Sequence, residues 1–442
     1  MKADSKKEIL KLVKQKKIRL IHLWFTDILG RLKSFAITAD ELSMAFDEGM
    51  GFDGSSIEGF ARIDESDMIA KPDPKTFQFI PWAPKEGPEV RMFCDILNPD
   101  GSFYEGDPRY ILKRNLKELA KKGLTYYVGP ELEYFYFRGA KEPLILDKGT
   151  YFDLTALDAG DDLRRETILA LESMGIRVEI GHHEVAPSQH EIDMKYTDAL
   201  TMADNVMTCR VTIKEVAQNH DLYASFMPKP IGGINGSGMH VHMSLFKGGT
   251  NTFFSKTDKN LISDTARYFI AGLLRHVKEI TSVTNQWVNS YKRLVPGYEA
   301  PVYISWAQRN RSTLIRIPMT KPRKPRSSRI ELRSPDPACN PYLAFSVMLA
   351  AGMEGIDKKY KVPVPIEKDL YKMSAEEKEG LGIESLPGSL IESISATENS
   401  KLVRKALGEH VFTNFIQNRK IEWDNYRRHV TSYEIENYLP IL

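Results

Sequence analysis

The chain is 442 residues long, which is more than one ordinary hydrophobic core organises, so two domains are expected. Its 61 basic and 59 acidic side chains leave a net charge of +2, which argues against nucleic-acid binding through a general positive field. The three cysteines lack the spacing of a metal site or a disulfide framework, and neither an export signal nor an apolar run of about 18 residues is present, so we expect a cytoplasmic protein.

The N-terminal part of the chain predicts a small α+β domain. Ser5 and Glu8 form a capping box ahead of apolar residues at helical spacing, so an amphipathic helix is expected to run to about Lys17. Strands and one short helix are then predicted at residues 18–25, 32–37, 40–47, 77–80 and 91–96. A turn at residues 98–101 follows, and we therefore expect the first domain to span residues 1–105.

One segment of this domain carries a single carboxylate among small neighbours. Gly51-Phe52-Asp53-Gly54-Ser55-Ser56 is too rich in glycine and serine to predict a helix or a strand. An aspartate flanked by glycine is common in surface turns. The residues alone therefore leave open whether Asp53 belongs to a turn or to a functional site.

A larger second domain is expected over residues 106–442. Asp107 and Pro108 supply an N-cap and a first-turn proline for a helix that ends at Gly123. Strands at 125–137, 177–185, 222–227, 239–246 and 330–334 alternate with helices at 161–174, 198–220, 263–284 and 341–358. The remaining tail is mostly helical, and residues 402–416 are its clearest amphipathic stretch.

Two glutamates share one face of the first of these strands. Glu131 and Glu133 are two residues apart in a strand that is otherwise rich in apolar and aromatic residues. Their like charges repel unless a divalent cation or two lies between them. A solvent-facing edge strand with paired glutamates is the alternative reading.

The segment from His182 to Glu191 adds three histidines and two further carboxylates, Glu184 and Glu191. It lacks the helical His-Glu-x-x-His spacing of a zinc site, and Pro187 indicates a strand that leads into a loop. Glu184 and Glu191 converge only if the chain bends between them. A zinc site is left open, but ligands that are mostly oxygen suit magnesium or manganese better.

The stretch from Asn235 to Phe246 combines loop chemistry with strand chemistry. Glycines at its start permit close backbone approach to a bound group, after which His240, His242 and Ser244 alternate with apolar residues. A strand with three polar side chains on one face is typical of one that lines a wet site. The residues alone do not distinguish the roles of His240 and His242.

A third strand, residues 329–333, places Arg329, Glu331 and Arg333 on one face. Five glutamates and the His240 nitrogen are enough to hold two divalent ions, with about one negative charge left over. These glutamates are Glu131, Glu133, Glu184, Glu191 and Glu331. This arithmetic fits a two-metal centre for phosphoryl transfer.

Several arginines fall between the predicted metal strands in sequence, and their planar forks match phosphate and carboxylate oxygens. They are Arg293, Arg311, Arg316, Arg326, Arg329 and Arg333. The basic run at residues 321–329 also fits a solvated loop or a nucleic-acid patch. Neither a Walker A motif nor a Rossmann glycine fingerprint is present, so a nucleotide must bind by another geometry.

Six motifs, in order and over nearly the whole chain, resemble those of type I glutamine synthetase. They are Phe52-Asp53-Gly54-Ser55-Ser56, Gly129-Pro130-Glu131-Leu132-Glu133, His183-Glu184-Val185-Ala186-Pro187, residues 235–244, Lys292 to Pro301 and Arg329 to Arg333. The resemblance implies a β-grasp-like N-terminal domain and a catalytic domain whose curved antiparallel sheet, surrounded by helices, carries the metal ligands. It also implies a cytoplasmic dodecamer of two stacked hexamers with active sites between subunits.

The implied activity is nitrogen assimilation: ATP-dependent ligation of ammonia to glutamate through γ-glutamyl phosphate, with Mg²⁺ or Mn²⁺ at two or more sites. By similarity, one metal nearer glutamate is held by Glu133, Glu184 and Glu191. The metal that bridges the nucleotide phosphates is held by Glu131, His240 and Glu331.

The remaining site residues are also implied by the resemblance. Glutamate is expected to contact Asn235, Gly236, Arg293, Glu299, Arg311 and Arg333, and ATP to contact Glu179, His242, Ser244, Arg316 and Arg326. Asp53 of the adjacent subunit is expected to bind ammonium and take its proton, and Glu299 to lie on a flap that closes the site. Arg311 and Arg316 are expected to neutralise the transferring phosphoryl group.

Three positions bear on regulation and nucleotide binding. Tyr371 is followed by Lys372-Met373-Ser374, which departs from the branch controlled by adenylylation. Arg62 resembles the arginine of the branch that glutamine inhibits by feedback, and a small regulatory protein is a further expected partner. Arg326 stands where the family often has lysine, which preserves charge but changes hydrogen-bond geometry.

Two other functions are weighed beside glutamine synthesis. A ligase that joins glutamate to an organic amine would use the same metals, but Asp53 and Glu299 would be dispensable or replaced. A catalytically silent ring that senses a nitrogen metabolite would not need the complete set of metal ligands.

Overall fold

The computed structural model describes residues 5–55, 57, 67–84, 87–154, 156–319 and 324–442. Arg62, the residue expected to take part in feedback inhibition, lies outside these ranges.

The N-terminal elements form one mixed sheet covered by helices. They are α1 (Lys6–Gln15), β1 (Leu20–Thr26), β2 (Leu32–Thr38), α2 (Leu42–Asp47), β3 (Met50–Asp53), β4 (Asp67–Pro72), β5 (Gln78–Phe79) and β6 (Val90–Leu97). The strand order is β2-β1-β6-β4-β3, with β5 beside β6, and β1 runs parallel to β6. Ile9, Leu12 and Val13 of α1 enter a core of their own, as the helical spacing predicts.

The glycine-rich segment around Asp53 corrects the sequence-based expectation. Residues 50–53 form the edge strand β3, which pairs with β4 and places Gly51 opposite Ile69. Tertiary pairing outweighs low strand propensity here, because an edge strand has one neighbour and needs few side-chain contacts. Asp53 is therefore the last residue of a strand, and the turn begins after it.

The larger part of the chain wraps helices around a second mixed sheet. Its elements are α3 (Pro108–Lys121), β7 (Leu124–Phe137), α4 (Asp161–Ser173), β8 (Val178–His183), β9 (Gln189–Met194), β10 (Thr197–Asp198), α5 (Ala199–Asn219), β11 (Tyr223–Ser225), β12 (Met239–Lys247), β13 (Thr250–Asn251), α6 (Asp264–Thr284), α7 (Ser290–Arg293), β14 (Trp306–Ala307), β15 (Ile315–Arg316), β16 (Ile330–Leu332) and α8 (Pro341–Lys358). The tail adds α9 (Ala375–Gly380), α10 (Leu390–Glu398), α11 (Lys401–Leu407), α12 (Glu409–Tyr426) and α13 (Ser432–Tyr438).

The order of this sheet is β14-β15-β16-β12-β7-β9-β8, with β10 and β11 beside β7 and β13 beside β12. The expectation of an antiparallel sheet holds for every pair except β14 and β15, which run parallel, so the sheet is mixed.

The strand at the centre of the site shows the predicted alternation. On β12, the apolar residues Met239, Val241 and Met243 are fully buried in the core, whereas His240 and His242 are half-buried on the other face. Residues that alternate along a strand point to opposite faces, so one face closes the core and the other remains for polar chemistry.

The predicted amphipathic stretch at residues 402–416 is two helices. Gly408 separates α11 from α12 with φ of +78°. A side chain at this position would meet Arg114 Nη1 at 2.7 Å, so only glycine suits both the backbone and the space.

A buried arginine joins the two parts of the chain. Arg109, at the start of α3, pairs with Asp73 and Asp95 on one side, at 2.8 and 2.6 Å, and with Asp204 of α5 on the other, at 3.1 Å. One cation neutralising three carboxylates fixes the N-terminal sheet against the larger domain, because removing it would leave buried charges unpaired.

The C-terminal helix α13 and the residues flanking it leave apolar side chains on the surface. The exposed ones are Val430, Tyr433, Ile435, Tyr438, Leu439, Ile441 and Leu442. Among the described residues, no helix has the combination of length and apolar character that a bilayer crossing requires.

Candidate active site

One cleft of about 720 Å³ collects most of the side chains singled out in the sequence. It lies on the polar face of the larger sheet, where β7, β9, β12 and β16 are neighbours. The predicted site residues that line it are Glu131, Glu133, Glu184, Glu191, Asn235, Gly236, His240, Arg293, Glu299, Arg311, Arg316, Glu331 and Arg333.

Strand register explains how distant residues meet in this cleft. Glu131 of β7 lies opposite His240 of β12, and Glu133 of β7 lies opposite Glu191 of β9. Across the next pair, His242 lies opposite Glu331 of β16. Directly opposed residues on neighbouring strands share a face, so register alone brings carboxylates and imidazoles together.

The first half of the cleft is centred on Glu131. Its carboxylate contacts His240 Nδ1 at 2.9 Å and His242 Nε2 at 2.6 Å. Burial opposes ionisation, but the hydrogen bonds from the two histidines outweigh it and hold the pKa of Glu131 well below its usual range. Burial and nearby Arg333 lower the pKa of His240, so this imidazole is neutral and has a nitrogen suited to a metal.

His242 has a defined tautomer in this arrangement. Arg329 Nε donates to its Nδ1 at 3.3 Å, so the proton resides on Nε2 and is donated to Glu131. Ligand atoms of Glu131, His242 and Glu331 lie within 4.8 Å of one another, and His240 Nδ1 is 3.8 Å from Glu331. Both histidines thus border the same potential cation position.

The second half contains three carboxylates that repel one another. Burial and neighbouring Glu184 raise the pKa of Glu133 to about 8, although Gly238 N donates to its carboxylate at 2.8 Å. Burial, offset in part by a hydrogen bond from Val185 N and reinforced by Glu299, raises the pKa of Glu184 to about 7. Burial and neighbouring Asp193 raise the pKa of Glu191 well above its usual range.

These raised pKa values test whether a divalent cation suits the site. Buried carboxylates this close to one another hold protons near neutral pH because burial and repulsion outweigh Arg293 and the backbone hydrogen bonds that favour ionisation. A divalent ion bound among oxygen ligands would replace those protons and remove the repulsion. The donor set of Glu133, Glu184 and Glu191 therefore fits a hard cation. The pKa values of Glu131 and Glu331 are instead lowered, so these carboxylates are ionised and, with the neutral His240 nitrogen, offer ligands to a cation without first losing protons.

The cradle beside the carboxylates is built from backbone and buried arginine. A side chain at Gly236 would meet Pro228 O at 2.2 Å, and one at Gly238 would meet Arg293 Nη2 at 2.4 Å, so both positions require glycine. Arg293 is 3% exposed and donates to Ser334 O at 2.7 Å. The cradle is thus rigid before any substrate arrives.

Cations border the carboxylates on the other side. Arg316 Nε donates to Glu331, and Arg333 Nε lies 3.2 Å from Glu331 Oε1. Arg333 also donates to the carbonyl oxygen of Arg311. Arg311 itself is exposed at the rim of the cleft. Positive charge is therefore concentrated where an anionic group would enter.

Five predicted site residues do not line the cleft of their own chain. His242 contacts Glu131 beside the cleft, Ser244 is buried further along β12, and Glu179 is exposed on β8. Arg326 is exposed, and its guanidinium lies 5.7 Å from the ring centroid of the buried Phe246. Asp53 is exposed in the N-terminal sheet, where hydrogen bonds from the Ser55 side chain and backbone lower its pKa.

Some cleft residues were not predicted as site residues. They include Tyr151, Gln189, Asp193, Arg309 and Tyr371. Asp193 follows Glu191 by two on β9, so strand periodicity could have found it. Gln189 precedes Glu191 by two on the same strand and shares this signal, whereas Tyr151, Arg309 and Tyr371 come from loops and have no periodic signal.

The histidine-rich segment divides between the two faces of the sheet, and each half belongs to a group whose ligand atoms lie within 4.8 Å of one another. His182 lies opposite Glu191 and faces the cleft, whereas His183 lies opposite His190 on the other face. There, His183 pairs with Asp147 at 3.0 Å, and Arg164 contacts both Asp158 and His190. A buried guanidinium in this group disfavours a second cation, so the cluster is an ion-pair network behind the ligand-bearing strands.

Comparisons with known proteins agree on one family. Residues 17–99 match the model described as "Glutamine synthetase, beta-Grasp domain", and residues 105–438 match "Glutamine synthetase, catalytic domain". A glutamine synthetase of Mycolicibacterium smegmatis is 53% identical, over 99% of this chain and 100% of that protein. One from Methanosarcina mazei is 50% identical, over 100% and 99% respectively. The structure of Plasmodium falciparum glutamine synthetase superposes with a TM-score of 0.90 at 26% identity, covering 99% of each chain.

Proposed function

The chain belongs to the glutamine synthetase family, and from that membership we propose how its own residues divide the work in the cleft. The enzyme makes glutamine from glutamate and ammonia at the expense of ATP. The observation that carries the assignment of residues is the convergence, in one cleft, of six glutamates, His240 and several arginines.

The reaction has two steps, and each step forms one bond and breaks another. A side-chain carboxylate oxygen of glutamate attacks the γ-phosphorus of ATP, the bond to the β,γ-bridging oxygen breaks, and ADP leaves. The nitrogen of ammonia then attacks the carbonyl carbon of γ-glutamyl phosphate, the carbon–oxygen bond to phosphate breaks, and phosphate leaves. The site must therefore neutralise the phosphoryl group first and exclude water afterwards.

The family uses divalent metal, and Mg²⁺ or Mn²⁺ is our proposal for this chain, with two or more ions per site. Glu133, Glu184 and Glu191 would hold the ion nearer glutamate. Glu131, His240 and Glu331 would hold the ion at the nucleotide phosphates. When bound, such ions neutralise charge on the transferring phosphoryl group.

Glutamate and nucleotide are assigned to opposite ends of the cleft. The Asn235-Gly236 backbone, Arg293 and Arg333 would hold glutamate, supported by the rigid cradle that Gly236 and Arg293 form. The nucleotide would contact Glu179, His242, Ser244 and Arg326. Glu179 lies on β8 and His242 and Ser244 lie on β12, whereas Arg326 lies in a short turn at residues 325–327. Arg311 and Arg316 would neutralise the phosphoryl group between them.

Ammonia capture is assigned to Asp53 and Glu299. Glu299 lines the cleft and accepts a hydrogen bond from Asn235 Nδ2 at 2.8 Å, so it lies beside the glutamate cradle. Asp53 is exposed and lines no part of its own chain's cleft, which supports a role at the cleft of a neighbouring subunit. There its carboxylate would bind ammonium and accept a proton.

The assembly we propose is a dodecamer of two hexameric rings with sites between subunits. It is supported by the position of Asp53 and by the apolar side chains exposed on α13 and the residues flanking it, which need a covering surface. The boundary between residues 1–105 and 106–442 is supported by the separate core of the N-terminal sheet.

Regulation and location are proposed on the sequence. Feedback inhibition by glutamine through Arg62, without adenylylation of Tyr371, follows the motifs around both residues. A small regulatory protein is a further partner of such an assembly. A cytoplasmic location is supported by three free, buried cysteines.

Measurement of both products tests the assignment. With glutamate, ATP and Mg²⁺, phosphate release and glutamine formation should both require ammonium and proceed in equal amounts. His240→Asn should weaken metal binding, whereas His242→Asn should chiefly raise the KM for ATP; the reverse pattern would contradict our division of roles. Methylamine in place of ammonium tests the amine-ligating alternative, which the named relatives do not favour.

A further inference from the structure

The segment that carries Glu299 is held in a backbone conformation it would not adopt alone. We call residues Gly297–Ala300 the flap. Gly297 has φ of +98° and Glu299 has φ of +59°, which is the left-handed region that a non-glycine residue rarely occupies. Such a residue persists only where its surroundings hold it in place.

Two contacts hold the flap from the side of the substrate cradle. Asn235 Nδ2 donates to Glu299 Oε2, and the Lys229 ammonium lies 3.8 Å from the ring centroid of Tyr298. The cation–π contact is favourable because the ring face is negative. Both contacts involve residues next to the proposed glutamate site, so substrate binding and flap position are linked on this side.

A third contact holds the flap from a distant part of the chain. The Tyr371 hydroxyl donates to Ala300 O at 2.9 Å, one residue beyond Glu299. The segment before Tyr371 is itself fixed, because Leu370 N donates to Ser312 Oγ at 3.0 Å and Asn310 Nδ2 donates to Ile366 O at 3.0 Å. Burial raises the pKa of Tyr371 to about 12, so its hydroxyl keeps the proton that it donates.

We propose that Tyr371 is a positioning residue whose hydroxyl latches the flap, keeping Glu299 over the cleft while γ-glutamyl phosphate awaits ammonia. The inference rests on the proposed role of Glu299. Tyr371 lines the cleft as well, so one side chain both forms part of the cleft wall and holds the flap.

Loss of the latch has a defined chemical consequence. With the flap open, water oxygen attacks the carbonyl carbon of γ-glutamyl phosphate, the carbon–oxygen bond to phosphate breaks, and glutamate is regenerated. The net reaction is hydrolysis of ATP to ADP and phosphate without glutamine. The latch therefore controls the ratio of phosphate to glutamine, which a general loss of activity would leave unchanged.

Tyr371→Phe tests the latch because it removes the hydroxyl and keeps the ring. We expect the KM for ammonium to rise roughly two- to tenfold, which corresponds to the loss of one neutral hydrogen bond, and the ratio of phosphate to glutamine to rise above one. The KM values for ATP and glutamate should stay close to those of the unsubstituted enzyme.

Tyr303→Phe is the matched control. The Tyr303 ring lies beside that of Tyr371, with centroids 6.4 Å apart, but its hydroxyl accepts from Lys378 Nζ at 3.1 Å and is not bonded to the flap. This variant should keep equal amounts of phosphate and glutamine. Equal uncoupling in both variants, or full coupling in Tyr371→Phe, would overturn the latch.

Glu299→Gln separates the latch from the assignment on which it rests. Uncoupling by Glu299→Gln together with tight coupling in Tyr371→Phe would show that the flap matters but Tyr371 does not hold it. Full activity and full coupling in Glu299→Gln would overturn the role of Glu299 and the latch together.

Discussion

Glu133, Glu184 and Glu191 are individually unfavourable in a folded chain that holds no cation. Each is largely buried, and neighbouring carboxylates raise the pKa of each further. The residues that stabilise a fold and those that perform chemistry are distinct here, because these three carboxylates destabilise the cleft until a positive ion enters it.

Without a cation, thermal stability should therefore fall as pH rises, and divalent metal should counteract that fall. A folded-state pKa of about 8 for Glu133 and about 7 for Glu184, above the ordinary 4.5, means that the folded chain binds protons more tightly than the unfolded chain. The stabilisation that this proton binding provides is present in full below pH 4.5 and is lost as pH rises toward 8. We expect the Tm in EDTA to fall between pH 6 and about 8.5, and Mg²⁺ to raise Tm more at the higher pH.

The double variant Glu133→Gln/Glu184→Gln supplies the control for this measurement. It removes both titrating groups, so the fall of Tm with pH in EDTA should become shallower and the stabilisation by Mg²⁺ should shrink. An effect of Mg²⁺ that is equal at both pH values in the unsubstituted enzyme would contradict the proton–metal competition.

The β8–β9 hairpin is the element that places Glu184 and Glu191 together. Its turn requires Ser188 at φ of +63°, and the Ser188 hydroxyl is fully buried. This hydroxyl accepts hydrogen bonds from Leu146 N at 2.5 Å and Asp147 N at 3.2 Å. The turn is thereby tied to the loop that carries Asp147, whose carboxylate in turn accepts from Ser188 N.

Ser188→Ala should loosen this hairpin. The substitution leaves two backbone donors without their acceptor in a buried place, which costs about 1–3 kcal/mol in the free energy of unfolding. Metal affinity should fall as well, because Glu184 and Glu191 lose their fixed separation. Denaturant unfolding measures the first effect and metal titration the second.

Ser173→Ala is the corresponding control on the surface of α4, where the hydroxyl only donates to Ala170 O. We expect a change of less than about 0.5 kcal/mol there. A Ser188→Ala variant as stable as this control would mean that the Ser188 hydroxyl does not hold the turn.

At the scale of the whole molecule, the sequence predicts what lies along one element better than what meets across the fold. Strand alternation placed Glu131 beside Glu133 and His240 beside His242, because side chains two apart share a face whatever the topology. Helix limits were confirmed within a few residues, as for α6 and α8. The family motifs supplied residues that periodicity could not, such as Glu299.

Other features could not be predicted because they depend on packing between distant segments. The bond from Tyr371 to Ala300 joins residues 71 apart and leaves no pattern in the sequence. The edge strand that ends at Asp53 exists because β4 offers it a partner, against the propensity of its glycine. The role that we propose for Asp53 would require a second chain, and the pattern of one chain does not predict how two chains pack.

Mixed assemblies test whether sites are shared between subunits. Asp53→Asn and Glu133→Gln, each expected to lower glutamine synthesis at least a hundredfold, are co-expressed with different tags and purified through both. In a ring with random order, a site is intact only where a subunit with Asp53 adjoins one with Glu133 on the correct side. About a quarter of the sites should then be active, since each neighbour is correct half of the time.

A mixture of Glu133→Gln with Glu331→Gln provides the contrast, because Glu133 and Glu331 line the same chain's cleft. No arrangement of these two subunits restores a complete cleft, so the hybrid should remain as inactive as its components. If the mixture of Asp53→Asn and Glu133→Gln is equally inactive, Asp53 does not serve a neighbouring cleft, and its exposed position on β3 requires a different explanation. Recovery confined to the first mixture would instead make two adjoining subunits the smallest catalytic unit, since a lone chain then lacks an acceptor for the ammonium proton.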